Sequence, residues 1–184
     1  MTHLPTHTRD SAPEASHEVI DKMNAKYGFL PNIFGVLAGS PAAAGGYAAL
    51  TDLLAKGALS PLEQQVVFLT VSGVNNCEYC VAAHSTVADM LNAPADIVDA
   101  LRGGTPLPDA KLDALRNFTA AMVEKRGWMD DLDVSVFRAA GYGDAHILDV
   151  ITGVAMKTIS NYANHLAGTK VDDAFAPRAW TRAA

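Results

Sequence analysis

The sequence predicts an all-α protein that forms a homo-oligomer. The chain is 49% apolar, and much of that fraction is alanine, the strongest helix former. No segment alternates polar and apolar residues with the period of two that is typical of a half-buried strand. Aromatic residues make up 7% and charged residues 18% of the chain, which favours compact helices and suggests that some surface is buried against other subunits.

Start and stop signals divide the chain into helices. The strongest start is Ser60-Pro61-Leu62-Glu63, which combines an N-cap residue, a proline at the first helical position and a capping-box glutamate. Glycines mark several ends, because they adopt the left-handed conformation that terminates a helix. Gly45-Gly46 suggests a close helix crossing. The predicted helices cover about residues 12–27, 30–38, 41–56, 61–74, 77–91, 95–102, 109–126, 131–139 and 144–167.

The 184 residues suit one domain with a short extension. Residues 1–12 are polar and are predicted to form a flexible N-terminal arm or a tail that docks on another subunit. Residues 13–184 are predicted to form a single helical domain.

Charge and hydropathy exclude several classes of partner. The net charge is −6 and no cluster of lysine and arginine occurs, which argues against binding to nucleic acid or to an anionic membrane surface. The N-terminus lacks the apolar core of a signal peptide, and no apolar run is long enough to span a bilayer. We therefore expect a soluble, cytoplasmic protein.

The stretch from Asn75 to His84 contains both cysteines of the chain. On a helix, Cys77, Cys80 and His84 share one face. Asparagine is a favoured N-cap residue, so Asn75 and Asn76 predict a helix that begins at or just before Cys77. Both thiols would then lie in the first turn, where the helix dipole lowers a thiol pKa. In a reducing cytosol this spacing indicates redox or metal chemistry rather than a structural disulfide.

Two other interpretations of the cysteine pair remain. One is a buried structural pair of thiols beside a surface histidine. The other is a zinc site, which would need a fourth ligand from His146, His165 or a second subunit, because the stretch supplies only three. The redox interpretation requires neither a metal nor an organic cofactor, only a redox-active Cys77–Cys80 disulfide.

The CxxCxxxH pattern of Cys77, Cys80 and His84, preceded by Leu59-Ser60-Pro61-Leu62-Glu63, resembles the AhpD-like, alkylhydroperoxidase-related branch of the carboxymuconolactone decarboxylase family. The stretch from Asn161 to Thr169 also looks like that of peroxidase-related members, and the resemblance covers about residues 30–170. It implies an all-α fold, a homo-trimer or a hexamer built from two trimers, and peroxidase or disulfide-reductase chemistry. It makes Cys80 the peroxide-attacking thiol, Cys77 the resolving thiol and His84 part of the proton-handling group, whereas the dipole argument alone favours Cys77.

The chain departs from the family archetype at two positions. Gln65 stands where the archetype has a glutamate, twelve residues before the first cysteine, and an amide cannot carry a proton as a carboxylate does. Tyr79 stands where the archetype has a histidine, and it is either a packing residue or a proton donor. The glutamate and histidine missing from the archetype's proton relay would be replaced by Glu63, Glu78, Asp89 or His165. If it has no such role, Glu78 interacts favourably with the helix dipole and His165 is structural.

These observations predict a thiol-dependent peroxidase similar to alkyl hydroperoxide reductases. Its partners would be a hydroperoxide substrate and an external dithiol or lipoyl-type reductant. One alternative is a disulfide reductase or adaptor with weak peroxidase activity, and another is a non-enzymatic redox-sensing module. Lactone decarboxylation is not expected, because the family's decarboxylases lack the cysteine pair.

Overall fold

A computed structural model describes residues 3–181 of the chain, and within this range the regular structure is helical and contains no strand. The predicted all-α class is therefore confirmed. None of the described helices is both long and apolar enough to cross a membrane. The helices are α1 (His17–Tyr27), α2 (Asn32–Leu37), α3 (Pro41–Leu54), α4 (Pro61–Val74), α5 (Glu78–Met90), α6 (Ala95–Gly103), α7 (Ala110–Glu124), α8 (Asp131–Ala139) and α9 (Asp144–Ala167), with 3₁₀ turns at Glu14–Ser16 and Ala176–Arg178.

The ends of these helices show the capping that the sequence predicts. The Ser60 side chain accepts from the backbone N–H of Glu63, and the Glu63 carboxylate accepts from the N–H of Ser60, which completes the capping box of α4. The Ser40 hydroxyl caps α3 in the same manner. Gly28 ends α1 with a left-handed φ of 78°. Local chemistry therefore places most of the boundaries correctly.

The helix α4 is central to the fold, because it packs against α5, α7 and α9. Its residues from Gln65 to Ser72 are all buried. The helix α9 approaches α4 closely at Gly153, where an added Cβ would lie 2.9 Å from a methyl group of Val67. The predicted close crossing at Gly45-Gly46 is wrong, since a Cβ on either glycine would meet open space.

The N-terminal segment lies against the helical body. The backbone N–H of His3 donates to the carbonyl of Leu166, and that of His7 donates to the carbonyl of Gly35, both at 2.9 Å. The division of the chain into an arm and a domain stays a prediction. Residues 1–2 of the predicted arm and residues 182–184 of the predicted domain lie outside the described residues.

Candidate active site

The two cysteines lie where α4 ends and α5 begins. Asn75 is the C-cap of α4, and Asn76 follows in a left-handed conformation with a φ of 54°. The backbone N–H of Cys77 reaches back to the carbonyl of Ser72 at 2.9 Å, which closes a Schellman motif. The asparagines therefore terminate one helix instead of capping the next, and the prediction that both thiols lie in the first turn is wrong. Cys77 is the extended N-cap residue of α5, and only Cys80 lies inside the first turn.

The second wall of the site is a buried polar stripe on α9. This stripe is at most 4% exposed and consists of residues spaced to share one helix face: Lys157, Ser160, Asn161 and Asn164. Two of these residues, Lys157 and Ser160, are not among those that the sequence predicts for the site. The available signal was this spacing itself, because Lys157 is the single ionic side chain in the apolar run from Val150 to Ser160.

The stripe meets the two sulfurs directly. Both cysteines are free and buried. The Asn164 side chain donates from Nδ2 to Cys80 Sγ at 3.2 Å and lies 3.7 Å from Cys77 Sγ. The Ser160 hydroxyl oxygen lies 3.8 Å from Cys80 Sγ. Polar groups thus converge on Cys80 more closely than on Cys77.

These contacts separate the acidities of the two thiols. Burial acts to raise the pKa of Cys80, but the hydrogen bond from the Cys77 thiol and the positive charge of Lys157 outweigh burial and hold that pKa well below its ordinary value. The pKa of Cys77 is raised, first because its thiol donates to Cys80 and then because of burial. The arrangement therefore favours a Cys80 thiolate beside a protonated Cys77.

Lys157 is completely buried, and its ammonium group needs a negative partner. Burial lowers the pKa of Lys157, but attraction to the Cys80 thiolate outweighs burial and raises it. A buried ammonium and a buried thiolate thus keep each other charged. No carboxylate among the described residues forms an ion pair with Lys157.

His84 connects Lys157 to Gln65 in a chain of hydrogen bonds. Lys157 Nζ donates to His84 Nε2 at 2.8 Å, and His84 Nδ1 donates to Gln65 Oε1 at 2.9 Å. Burial and the neighbouring Lys157 charge hold the pKa of His84 well below its ordinary value, so the ring is neutral. Both ring nitrogens are engaged, and neither is available to the Cys80 sulfur, although the two residues share a face of α5 one turn apart. Gln65 does lie at the site, as the acceptor at the far end of the chain.

Tyr79 is a packing residue in this structure. Its hydroxyl donates to Asp172 Oδ2 at 2.6 Å and accepts from the backbone N–H of Ile33 at 3.3 Å. Burial raises the pKa of Tyr79, and the Asp172 carboxylate raises it further. The ring lies edge-on to that of Phe175. Tyr79 thereby connects α5 to the start of α2 and to the C-terminal segment.

The remaining candidates lie in three different places. The Glu63 carboxylate is engaged by Ser60, Lys111 and Tyr142 at the start of α4, so the structure does not bring it to the cysteines. Asp89 pairs with Arg178. Glu78 and His165 are exposed, and both lie at the edge of a surface cleft beside Cys77.

Each sulfur lines a different cavity. A cavity of about 70 Å³, here called the Cys80 cavity, also contains His84 and Lys157, and its aromatic lining consists of Tyr27, Phe34, Tyr47, Tyr79 and Phe175. A polar cleft of about 330 Å³, here called the Cys77 cleft, is lined by Asn76, Cys77, Glu78, Asn164, His165 and Thr169. Tyr79 lines both of them.

The site does not have the arrangement of a zinc centre. No group of three or more His, Cys, Asp and Glu side chains among residues 3–181 has metal-binding geometry. His146 accepts from the N–H of Gly143 at the first turn of α9, roughly 27 Å along the helix axis from Asn164. His146 is therefore not the fourth ligand that the zinc interpretation required from this chain.

The model of the carboxymuconolactone decarboxylase family matches residues 41–124, a segment that includes both cysteines and His84. No curated protein sequence matches the chain.

Solved structures similar to the chain include an alkylhydroperoxidase AhpD-core, peroxidase-related protein from Ralstonia eutropha, with a TM-score of 0.82 and 23% identity over 95% of this chain and 94% of that one. A peroxidase-related protein from a Silicibacter species has a TM-score of 0.79 and 22% identity over 95% and 93%. The debrominase Bmp8, in complex with 2,3,4-tribromopyrrole, has a TM-score of 0.79 and 17% identity over 97% and 96%. At these identities the likeness establishes the fold. The predicted resemblance is thereby confirmed: the chain has the AhpD-like fold, and its segment from residue 41 to residue 124 matches the model of the carboxymuconolactone decarboxylase family.

Proposed function

We propose that this protein is a thiol-dependent peroxidase in which Cys80 attacks the peroxide and Cys77 resolves the oxidised sulfur. The observation that carries the proposal is the buried Cys80 beside the buried Lys157 ammonium, with the free Cys77 thiol as its neighbour. A thiolate is the reactive form of cysteine, and this environment favours it without a metal. The peroxidase-related proteins of the same fold support the proposal.

The reaction balances with groups at the site. The Cys80 thiolate attacks the terminal oxygen of a hydroperoxide, the O–O bond breaks, and Cys80 becomes a sulfenic acid. The leaving alkoxide takes a proton from Lys157 and departs as an alcohol. Cys77 then attacks the sulfenic sulfur, and the displaced hydroxide leaves as water with the proton of the Cys77 thiol. The two electrons that reduce the peroxide come from the two sulfurs, which end as a disulfide.

An external dithiol completes the cycle by reducing the Cys77–Cys80 disulfide. His84 has a supporting role in this proposal. Its neutral ring and the Gln65 amide fix the position of the Lys157 ammonium, which is the group that donates the proton. Assembly into a trimer or a hexamer belongs to the same proposal.

A single-turnover experiment tests the peroxidase proposal. Reduced protein is mixed with tert-butyl hydroperoxide, and the remaining thiols, the sulfenic acid and the alcohol produced are quantified. We expect one alcohol per two thiols lost, no turnover in Cys80→Ser, and a trapped sulfenic acid on Cys80 in Cys77→Ser. A sulfenic acid that forms on Cys77 in Cys80→Ser would contradict the assignment of the two roles.

Reductive dehalogenation of an aromatic compound is a second candidate function. The specific observation is the aromatic lining of the Cys80 cavity, since the debrominase that shares this fold is bound to a brominated pyrrole. The two thiols would supply two electrons, so that a carbon–bromine bond is replaced by a carbon–hydrogen bond, and bromide and a disulfide are the other products. Bromide release from 2,3,4-tribromopyrrole, faster than alcohol release from a hydroperoxide, would favour this function over the first.

A further inference from the structure

We propose that the Cys77 cleft is the binding site for the reductant, a polar dithiol that attacks Cys77 of the Cys77–Cys80 disulfide from the side opposite to the Cys80 cavity. The inference rests on the proposed function, because it assigns the second half of the same catalytic cycle. Oxidant and reductant would then approach the two sulfurs through different openings, both of which Tyr79 lines.

The cavities are the first support for this assignment. Cys77 lines the polar cleft and Cys80 does not, whereas Cys80 lines the aromatic cavity and Cys77 does not. An external thiol needs an approach to the sulfur that it attacks, and the cleft of about 330 Å³ is the larger of the two openings. A polar dithiol therefore finds room beside Cys77 rather than in the small apolar space beside Cys80.

The second support is an unsatisfied pair of polar atoms. Asn164 Oδ1 and Thr169 Oγ1 are buried and have no hydrogen-bond partner in the structure, and both residues line the Cys77 cleft. Asn164 as a whole is only 4% exposed. Leaving such atoms unpaired costs free energy, which a ligand with hydrogen-bonding groups would recover. A hydroxyl or amide of a bound reductant can supply those hydrogen bonds.

The third support is the chemistry of disulfide exchange. Attack on a disulfide is faster when the thiolate that leaves is the more stable one. Lys157 and Asn164 stabilise a thiolate on Cys80, so Cys80 is the better leaving group and Cys77 is the sulfur to be attacked.

The exchange is balanced in two steps. The first thiol of the reductant loses its proton, and this proton restores the ammonium form of Lys157 that the peroxide step consumed. The thiolate so formed bonds to Cys77 Sγ, the disulfide breaks, and Cys80 leaves as the thiolate that Lys157 stabilises. The second thiol of the reductant then attacks the reductant sulfur of the mixed disulfide. Cys77 is released and takes the proton, and the reductant departs as a cyclic disulfide.

The experiment measures the two half-reactions separately. The disulfide is made chemically with diamide, and its reduction by dithiothreitol is followed by quenching and alkylation of the thiols. Oxidation of the reduced protein by tert-butyl hydroperoxide is measured independently. The reduction by dithiothreitol can be measured even if the protein has no peroxidase activity. A failure of the proposed peroxidase function would therefore be seen only in the oxidation by tert-butyl hydroperoxide.

Two kinds of variant separate the two openings. Thr169→Val removes the unpartnered hydroxyl, and Thr169→Phe places a ring in the cleft. We expect each to slow reduction by about tenfold, the equivalent of a lost hydrogen bond or more, and to leave oxidation by the hydroperoxide unchanged. Ala83→Phe fills the Cys80 cavity and should do the opposite. Thr158→Val is the matched control, because it removes a hydroxyl from α9 away from the cleft and should change neither rate.

The attacked sulfur is identified directly with a monothiol. The wild-type disulfide is treated briefly with cysteamine, quenched in acid and alkylated, and the adduct is located by fragmentation of the peptide that contains both cysteines. We expect cysteamine on Cys77 and the alkyl group on Cys80. An adduct on Cys80, or a Thr169→Phe protein that is reduced at the wild-type rate while Ala83→Phe slows reduction, would overturn the proposal.

Discussion

Replacing Lys157 by methionine is the most informative perturbation of this site. Methionine has a similar length and suits a fully buried position, so the change removes the charge and leaves the shape nearly intact. Without the ammonium group, the pKa of Cys80 rises, because burial is then less well opposed. A larger fraction of the Cys80 thiol is therefore protonated in the variant than in the parent at the same pH, and its reaction with a hydroperoxide slows.

The size of this effect follows from the burial of both charges. Opposite charges about 4 Å apart at an effective dielectric constant of about 20 attract by about 4 kcal/mol, which is about a thousandfold in the acid dissociation constant of the thiol. A more basic thiolate is also a better nucleophile, which recovers about twentyfold when the Brønsted coefficient is about 0.45. The expected net slowing is about fiftyfold at a pH below the parent's pKa, and it shrinks as the pH rises, because the parent thiol is then already ionised while the thiol of the variant still ionises.

The assay is the pH dependence of the rate at which Cys80 reacts with iodoacetamide and with tert-butyl hydroperoxide, measured in a Cys77→Ser background. The thiolate population is followed in parallel by its ultraviolet absorbance. Lys170→Met is the control, because Lys170 is exposed and its loss should leave the profile in place. A Lys157→Met profile that coincides with that of the parent would refute the argument that the buried ammonium stabilises the thiolate.

Three further changes separate residues of the site from residues of the scaffold. Gln65→Glu places a negative charge at the far end of the hydrogen-bonded chain through His84, so the pH profile of the reactive thiolate should move to higher pH; a move to lower pH would contradict this. Tyr79→Phe removes the hydroxyl that donates to Asp172 and leaves that carboxylate with the backbone N–H of Asn32 as its donor, so thermal unfolding should occur about 3–8 °C lower, from a loss of about 1–3 kcal/mol, while the peroxide rate stays close to the parent's. At Glu63, burial raises the pKa, but the capping hydrogen bonds outweigh burial and lower the pKa below 4.5. Glu63→Gln should therefore lower the free energy of unfolding by about 1 kcal/mol above pH 4.5. This difference should vanish as the pH falls through the lowered pKa of Glu63. Denaturant unfolding across that range measures the Glu63 effect, which a pH-independent difference would contradict.

The helices were largely predictable because their ends are local. Ser60, Glu63 and Gly28 act through hydrogen bonds and backbone angles within one turn, and the structure shows them as expected. The exception is the boundary between α4 and α5, which also depends on contacts within a few residues. Asn75 and Asn76 suit the start of a helix as well as its end, and the choice depended on whether the N–H of Cys77 could reach the Ser72 carbonyl.

The candidate site was only partly predictable, because half of it comes from a distant helix. Gln65, Cys80 and His84 lie on consecutive helices, and their grouping follows from spacing and from the family pattern. Lys157 bonds to His84 and Asn164 bonds to Cys80, and in each pair the residue on α9 lies more than seventy residues further along the chain. The local sequence does not predict which face of α9 packs against the cysteines, because that depends on how α9 packs across α4 and α5.

The sequence by itself determined the helical class, most helix boundaries and the presence of a cysteine pair suited to redox chemistry. These follow from propensity, capping and spacing, which act over a few residues. Only the tertiary structure decided which sulfur has the lower pKa, because that depends on a buried ammonium and an amide donor carried by α9. The tertiary structure also determined that each sulfur lines a cavity of its own, since these cavities are formed by residues that are far apart in the chain, such as Phe34 and Lys157 around Cys80 and His165 and Thr169 beside Cys77.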